Sequence, residues 1–132
     1  MNRAELLQDF IGRADGPVRW GVDDCTMWSA TWVRAVSGRS VATLEYHSEE
    51  AARLLIERHG GLLSIWDRAL GDAGFFESYD PTLGDVGLVD TRLCGPVGVI
   101  FGGGGLALRR KADGGVWVFS TARRALIKAW TI

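Results

Sequence analysis

The stretch that decides the fold is Trp20-Gly21-Val22-Asp23-Asp24-Cys25, which runs directly into an apolar helical pattern. The apolar positions of that pattern are Met27, Trp28, Ala30, Trp32, Val33, Ala35 and Val36. Asp23 or Asp24 is suited to cap the helix, because a carboxylate accepts the free N–H groups of a first turn. We therefore predict a helix that carries Cys25 in its first turn and ends at Ser37-Gly38.

Three further helices are predicted in the first 80 residues. They run from Asn2 to about Gly12, from Ser48 to Gly60-Gly61, and from Leu62 to Leu70, the last closed by Gly71. Asn2 with Glu5 has the spacing of a capping box, and Ser48 is followed by two acidic residues in the first turn. The glycines at the ends are typical of helix termination.

The period of the apolar residues changes after Asp80-Pro81. Strand-like segments follow at about 85–90, 95–102, 104–110 and 115–120, separated by Gly-rich turns. The tail, residues 123–132, is expected to form a half-turn of helix and a closing strand. We predict one α+β domain over residues 1–132, with helices in about 1–80 packed on an antiparallel sheet in about 84–132.

The composition narrows the classes of function. The chain of 132 residues is 47% hydrophobic with six Trp, so we expect it to fold, and no apolar run reaches the roughly 18 residues of a membrane helix. Residues 1–5 do not resemble a secretion signal. Residues 1–80 hold 8 basic and 13 acidic side chains, and residues 81–132 hold 7 and 3. The basic clusters lack interleaved aromatics, so nucleic-acid binding is not expected.

Two strand motifs complete a recognisable arrangement. Gly84-Asp85-Val86-Gly87-Leu88-Val89 is followed by Pro96-Val97-Gly98-Val99-Ile100-Phe101-Gly102. Together with the Cys25 helix they resemble the NlpC-type cell-wall peptidases, a branch of the papain-like cysteine peptidases. The resemblance implies a papain-like fold with Cys25 at the nucleophile position. In that family the second strand begins with the catalytic His, and here that place holds Pro96.

The reactivity expected of Cys25 depends on opposing effects. A thiol at a helix start lies near the positive end of the helix dipole, which favours thiolate. Asp23 and Asp24 oppose it by like-charge repulsion. The alternative interpretation is that Cys25 is a small buried residue that packs the helix on the sheet.

The bases available to Cys25 are few, since the chain has only two histidines. His59 stands at a predicted helix end, where a cationic side chain complements the dipole. His47 precedes Ser48 and is the better candidate for an unorthodox base.

The predicted cleft contains Trp20, Asp24, Cys94 and Pro96. The family often carries an aromatic residue where Trp20 stands, beside the cleft. Strand alternation would put Cys94 on the face of Pro96 and near Cys25, as a redox pair or two metal ligands. Two thiolates without further ligands make a weak metal site, so we predict no metal and no cofactor.

The small size, the missing His and the ending Ala-Trp-Thr-Ile resemble a subgroup from phages, prophages and gene-transfer agents, encoded among tail genes. This resemblance implies a virion protein of the tail tip, made in the host cytoplasm. Its partners would be other tail proteins of the hub or tip, with host peptidoglycan as a further contact. No membrane insertion is expected.

Two functions remain open at this stage. The first is a structural or assembly protein that keeps the peptidase fold as an interaction module. The second is an active cysteine endopeptidase that cuts peptidoglycan stem peptides through Cys25 during genome delivery. Pro96 favours the first, because a proline side chain cannot carry a proton. A host cytosolic amidase or transferase has no sequence feature of its own.

Overall fold

Four helices precede a six-stranded antiparallel sheet in the computed structural model, which describes residues 1–132. The helices are α1 (Arg3–Gly12), α2 (Cys25–Ser37), α3 (Glu49–Arg58) and α4 (Leu62–Asp72). The strands are β1 (Glu77–Ser78), β2 (Val86–Thr91), β3 (Gly95–Gly103), β4 (Leu106–Arg110), β5 (Val116–Ser120) and β6 (Leu126–Trp130). Their order in the sheet is β1-β6-β2-β3-β4-β5. The predicted α+β class is confirmed.

Three of the four predicted helix starts have side-chain caps, and α4 begins after Gly61 without one. The side-chain oxygen of Asn2 accepts the N–H of Glu5 at 2.9 Å. The Glu5 carboxylate accepts the side-chain amide of Asn2, and not its backbone N–H as in a full capping box. Asp24, rather than Asp23, caps α2, and Ser48 caps α3. These caps satisfy N–H groups that have no partner within their own helix.

The predicted end of α4 is wrong by two residues. The helix continues through Gly71 to Asp72, and the left-handed residue that reverses the chain is Gly74, with φ 87°. The N–H of Phe75 then reaches back to the carbonyl of Leu70 at 3.0 Å. Gly71 only lies in the last turn, because a glycine inside a helix is tolerated where no positive φ is needed.

The four strands predicted between residues 85 and 120 hold within two residues at each boundary, but β1, at Glu77–Ser78, was not predicted and lies within the part expected to be helical, about 1–80. Residues 103–105 have positive φ and make the turn between β3 and β4. The tail forms the expected half-turn, a 3-10 helix at Arg123–Ala125, and then β6. β6 lies between β1 and β2, so the last strand of the chain is interior to the sheet.

The central strands β2 and β3 are buried on both faces of the sheet. Leu88, Ile100, Leu108 and Trp130, all at even-numbered positions, face the helices. They join the aromatic side chains of α2 and α4 in one core. Side chains at odd-numbered positions face the other way and form a second apolar cluster of Val89, Val97, Val99, Phe101, Ala107 and Ala129. Burial on both sides explains why β2 and β3 lack a polar alternation.

Helix α2 lies across β3 and is tied to the turn before β2. The indole N–H of Trp32 donates to the carbonyl of Gly84 at 2.8 Å, and both residues are buried. Phe10 of α1 stacks on Trp28 with 5.2 Å between ring centroids. Cys25, the first residue of α2, is thereby held at one end of β3. None of the helices has the length and apolar content required to span a bilayer.

Candidate functional site

Cys25 sits against Gly98 of β3. A side-chain carbon placed on Gly98 would lie 3.4 Å from the carbonyl oxygen of Cys25 and 2.5 Å from the ring of Trp66. The backbone N–H of Gly98 acts to lower the pKa of the Cys25 thiol. The prediction that the Cys25 helix packs on the 96–102 strand is confirmed, and Gly98 is required by the closeness of that contact.

The thiol of Cys25 is held in its protonated form. Burial raises its pKa above the ordinary value, and the neighbouring charge of Asp24 raises it further. The N–H of Gly98, the charge of Arg109 and a hydrogen bond with Thr26 lower the pKa but do not offset burial. Of the opposing effects expected at Cys25, burial is the largest, so the pKa of the thiol is raised although Cys25 stands at a helix start.

Asp24 is buried and fully engaged. One carboxylate oxygen accepts the N–H groups of Thr26 and Met27, each at 3.2 Å, and the other accepts the N–H of Gly21 at 2.8 Å. The Tyr46 hydroxyl donates to both oxygens at 2.8 and 2.9 Å. These donors hold the carboxylate in position, so Asp24 anchors the helix start.

Tyr46 is a site residue that the sequence analysis missed. Burial raises its pKa far above that of a free phenol, and the charge of Asp24 and the hydrogen bond with it act in the same direction. Tyr46 therefore remains a proton donor and cannot serve as the base for Cys25. Residues 39–47 carry no helix or strand period, so nothing in the pattern of the sequence marked this residue.

The loop before Cys25 packs closely against Tyr46. Gly21 has φ 84°, and a side-chain carbon there would lie only 1.8 Å from the carbonyl oxygen of Tyr46. No other residue type fits at this position without moving the backbone. Trp20, the preceding residue, is half-buried and belongs to neither apolar core.

Arg110 fastens this loop to the sheet. Its buried guanidinium donates to the carbonyls of Asp15 and Gly16, at 3.2 and 3.0 Å, and to that of Lys111 at 3.0 Å. It also lies 3.5 Å from the carboxylate of Asp23. Burial would raise the pKa of Asp23, but the N–H of Arg19 and the charges of Arg110 and Arg19 together hold it below the ordinary value.

No imidazole contacts Cys25. The His47 side chain is 81% exposed, and its nearest ionic partner is Glu45 at 3.4 Å. His59 is exposed at the C-cap of α3, the place expected for it. The structure does not bring His47, the candidate base, into hydrogen-bond contact with the thiol.

Pro96 lies at the start of β3, opposite Asp90 of β2, and is exposed. It shares the helix-facing side of the strand with Gly98, two residues on. The prediction that Cys94 shares this face is wrong, because β3 begins at Gly95 and Cys94 belongs to the preceding turn. There the Cys94 N–H donates to the Thr91 hydroxyl at 3.1 Å, and its thiol is exposed and free.

Asp85 of the Gly84-Asp85 motif stabilises the fold through hydrogen bonds to the backbone. Asp85 is buried, and its carboxylate accepts the N–H of Thr82 at 2.9 Å and the N–H of Ile132 at 3.1 Å. It thus joins the turn before β2 to the end of β6. No group of three His, Cys, Asp or Glu side chains is arranged to bind a metal ion.

An apolar groove opens beside the site, between α2, the 41–46 segment, α3 and α4. Thr26 and Tyr46 stand at its Cys25 end. Most of its lining is aliphatic, from Ala30, Val33, Val41, Leu44, Leu55, Ile56, Leu62 and Ile65. The groove offers few polar groups that would orient a peptide substrate.

Comparison with known protein families gives one match. A family model described as "Domain of unknown function (DUF6950)" matches residues 2–132. No curated protein sequence matches this chain. The match includes Cys25, Asp24, Tyr46 and Pro96, and its description names no activity.

Proposed function

This chain belongs to the DUF6950 family, and we propose that it is a phage tail-tip component with a papain-like, NlpC-type fold that no longer catalyses peptide cleavage. The observation that carries the proposal is the surroundings of Cys25, which packs against Gly98 and has no imidazole in contact. Pro96 occupies the position at which the resemblance places the base.

The chemistry of the site supports a non-catalytic role. A cysteine nucleophile requires a group that takes the thiol proton and returns it to the leaving amine. Asp24 is committed to helix caps and Tyr46, and Tyr46 holds its own proton. General-base catalysis supplies about 10²–10⁴ in rate, so the site lacks a large part of a peptidase's rate enhancement.

The setting in a tail rests on the resemblance to the phage-associated subgroup, and the distribution of charge is consistent with it. Acidic residues are in excess among the helices, and basic residues are in excess after residue 81. Opposite charges on two parts of one small protein suit a fixed orientation between unlike neighbours.

An active endopeptidase is the second candidate. The backbone N–H of Gly98 and the charge of Arg109 lower the pKa of Cys25 in part, and an active cysteine would use such effects. This candidate requires a base that reaches Cys25 from outside the present contacts. It differs from the first candidate in one measurable respect, which is Cys25-dependent turnover.

Mass spectrometry of purified phage particles tests the setting. We expect the chain in the particles at a constant ratio to the other tail proteins. Particles made with Cys25→Ala should assemble and infect as well as those made with Cys94→Ala, the control at the exposed cysteine. Absence of the chain from the particles would contradict the proposal.

A further inference from the structure

The outer strand β5 presents a regular row of unpaired backbone groups. Next to it, the Lys111 N–H donates to the carbonyl of Gly115 at 3.0 Å, and the Thr121 N–H donates to that of Gly105 at 2.9 Å. In an antiparallel ladder the bonded residues recur at every second position. Odd-numbered residues of β5 therefore point their backbone groups at β4, and residues 116, 118 and 120 point theirs outward.

This edge has none of the usual protections against further pairing. Its five residues, Val-Trp-Val-Phe-Ser, include no charge and no proline, and the ladder with β4 runs without a bulge. Trp117 is 59% exposed and Val118 is 56% exposed. The opposite edge of the sheet differs, since β1 has only two residues. β5 is thus suited to accept an additional strand.

The charge around β5 indicates which strand it accepts. The Lys111 ammonium lies 4.8 Å from the centre of the Trp117 ring, and Asp113 follows it in the turn before β5. At the other end of the strand Arg123 is paired with Asp80 at 3.5 Å, and Arg124 has no ionic partner. Two copies paired antiparallel through β5 would bring the Lys111 end of one beside the Arg123 end of the other. Like charges oppose that pairing, and acidic side chains favour a different partner.

We propose that the β5 edge binds an extended segment of a partner protein whose β-branched or apolar core is flanked by acidic residues. Backbone hydrogen bonds to residues 116, 118 and 120 hold the segment, as in other cases of strand addition. Its apolar side chains cover Val118 on the helix-facing side and Trp117 on the other. The acidic flanks lie at Lys111 and at Arg123-Arg124. This interface does not require the peptidase-like interpretation of Cys25.

The experiment uses two synthetic peptides of alternating Thr and Val. One carries two glutamates at each end, and the other carries two lysines. Fluorescence anisotropy should show that the glutamate peptide binds at least about tenfold more tightly at low salt, with the difference falling as salt is added. Hydrogen exchange in the presence of this peptide should slow at the amides of residues 116, 118 and 120.

Variants of β5 and of the charges beside it test the backbone pairing and the charge preference separately. Val118→Pro removes one outward N–H and leaves the bonds with β4 intact, so binding should weaken at least about tenfold. Phe76→Thr, at an exposed aromatic beside the opposite edge, should not change binding. Lys111→Glu combined with Arg124→Glu should reverse the preference between peptides, which tests the charges without relying on the proline variant.

Several results would overturn the proposal. Equal binding of the two peptides would exclude the charge argument, and failure of both to bind would exclude strand addition at this edge. Protection of residues 116, 118 and 120 that rises with protein concentration, with a dimer in light scattering, would assign the edge to a second copy of this chain.

Discussion

The hydroxyl of Tyr46 donates to both carboxylate oxygens of Asp24, at 2.8 and 2.9 Å. The same carboxylate caps the helix that begins at Cys25. The 39–47 segment is therefore bound to the start of α2 through one buried carboxyl side chain. The site around Cys25 is built as a structural joint, with its polar side chains occupied by one another.

Removing the Tyr46 hydroxyl should destabilise the protein measurably. Tyr46→Phe leaves the buried Asp24 carboxylate with one donor fewer, and hydrogen bonds to charged groups contribute about 1.5–3 kcal/mol. Urea unfolding should show a loss of that size in the free energy of unfolding. Tyr79→Phe is the matched control, because the Tyr79 side chain is exposed, and it should change stability by less than about 0.5 kcal/mol. Equal effects of the two variants would contradict the role of this contact.

The contact of Cys25 with β3 depends on the absence of a side chain at Gly98. Gly98→Ala would place a carbon 2.5 Å from the Trp66 ring, which is itself buried. Overpacking of this kind destabilises by about 1–3 kcal/mol. Gly102→Ala, on the same strand, meets its nearest atom at 3.5 Å and should be much milder in thermal unfolding. A Gly98→Ala protein as stable as Gly102→Ala would show that Cys25 and Trp66 are not held this closely.

Asp23, in the loop before Cys25, should make part of the free energy of unfolding depend on pH. The folded-state pKa of Asp23 is lowered, so its contribution is fully present above the unfolded value of about 3.9. That contribution is lost as the pH falls through the lower folded value. Asp23→Asn should therefore show a smaller fall in unfolding free energy on acidification than the unaltered protein. Asp9→Asn, at an exposed pair with Arg13, should keep the original pH dependence.

The two cysteines should differ strongly in reactivity. Cys25 is half-buried with a raised pKa, and Cys94 is exposed in a turn. Because the thiolate is the reactive form, iodoacetamide should modify Cys94 at least about tenfold faster near neutral pH. Peptide mass spectrometry over time measures both rates in one sample. A Cys25 that reacts as fast as Cys94 would contradict the protonated, shielded thiol described above.

The features that were predictable from the sequence are local. Asn2, Asp24 and Ser48 start helices because a cap bonds N–H groups only two or three residues away. The strands were predictable because apolar runs between Gly-rich turns are short and regular.

The parts that were not predictable depend on contacts between distant residues. Tyr46 reaches Asp24 across 22 positions, and Arg110 reaches the carbonyl of Asp15 across 95. Neither contact leaves a period in the sequence. Cys94 was misplaced for a related reason, since the start of β3 depends on the turn that the Thr91 hydroxyl closes.

Cleavage of peptidoglycan stem peptides by the purified protein tests the central claim most directly. We expect no turnover that distinguishes the unaltered protein from Cys25→Ala, because the thiol keeps its proton and Pro96 cannot accept it. Turnover that disappears in Cys25→Ala would contradict the account, and its loss in His47→Ala as well would identify His47 as the base.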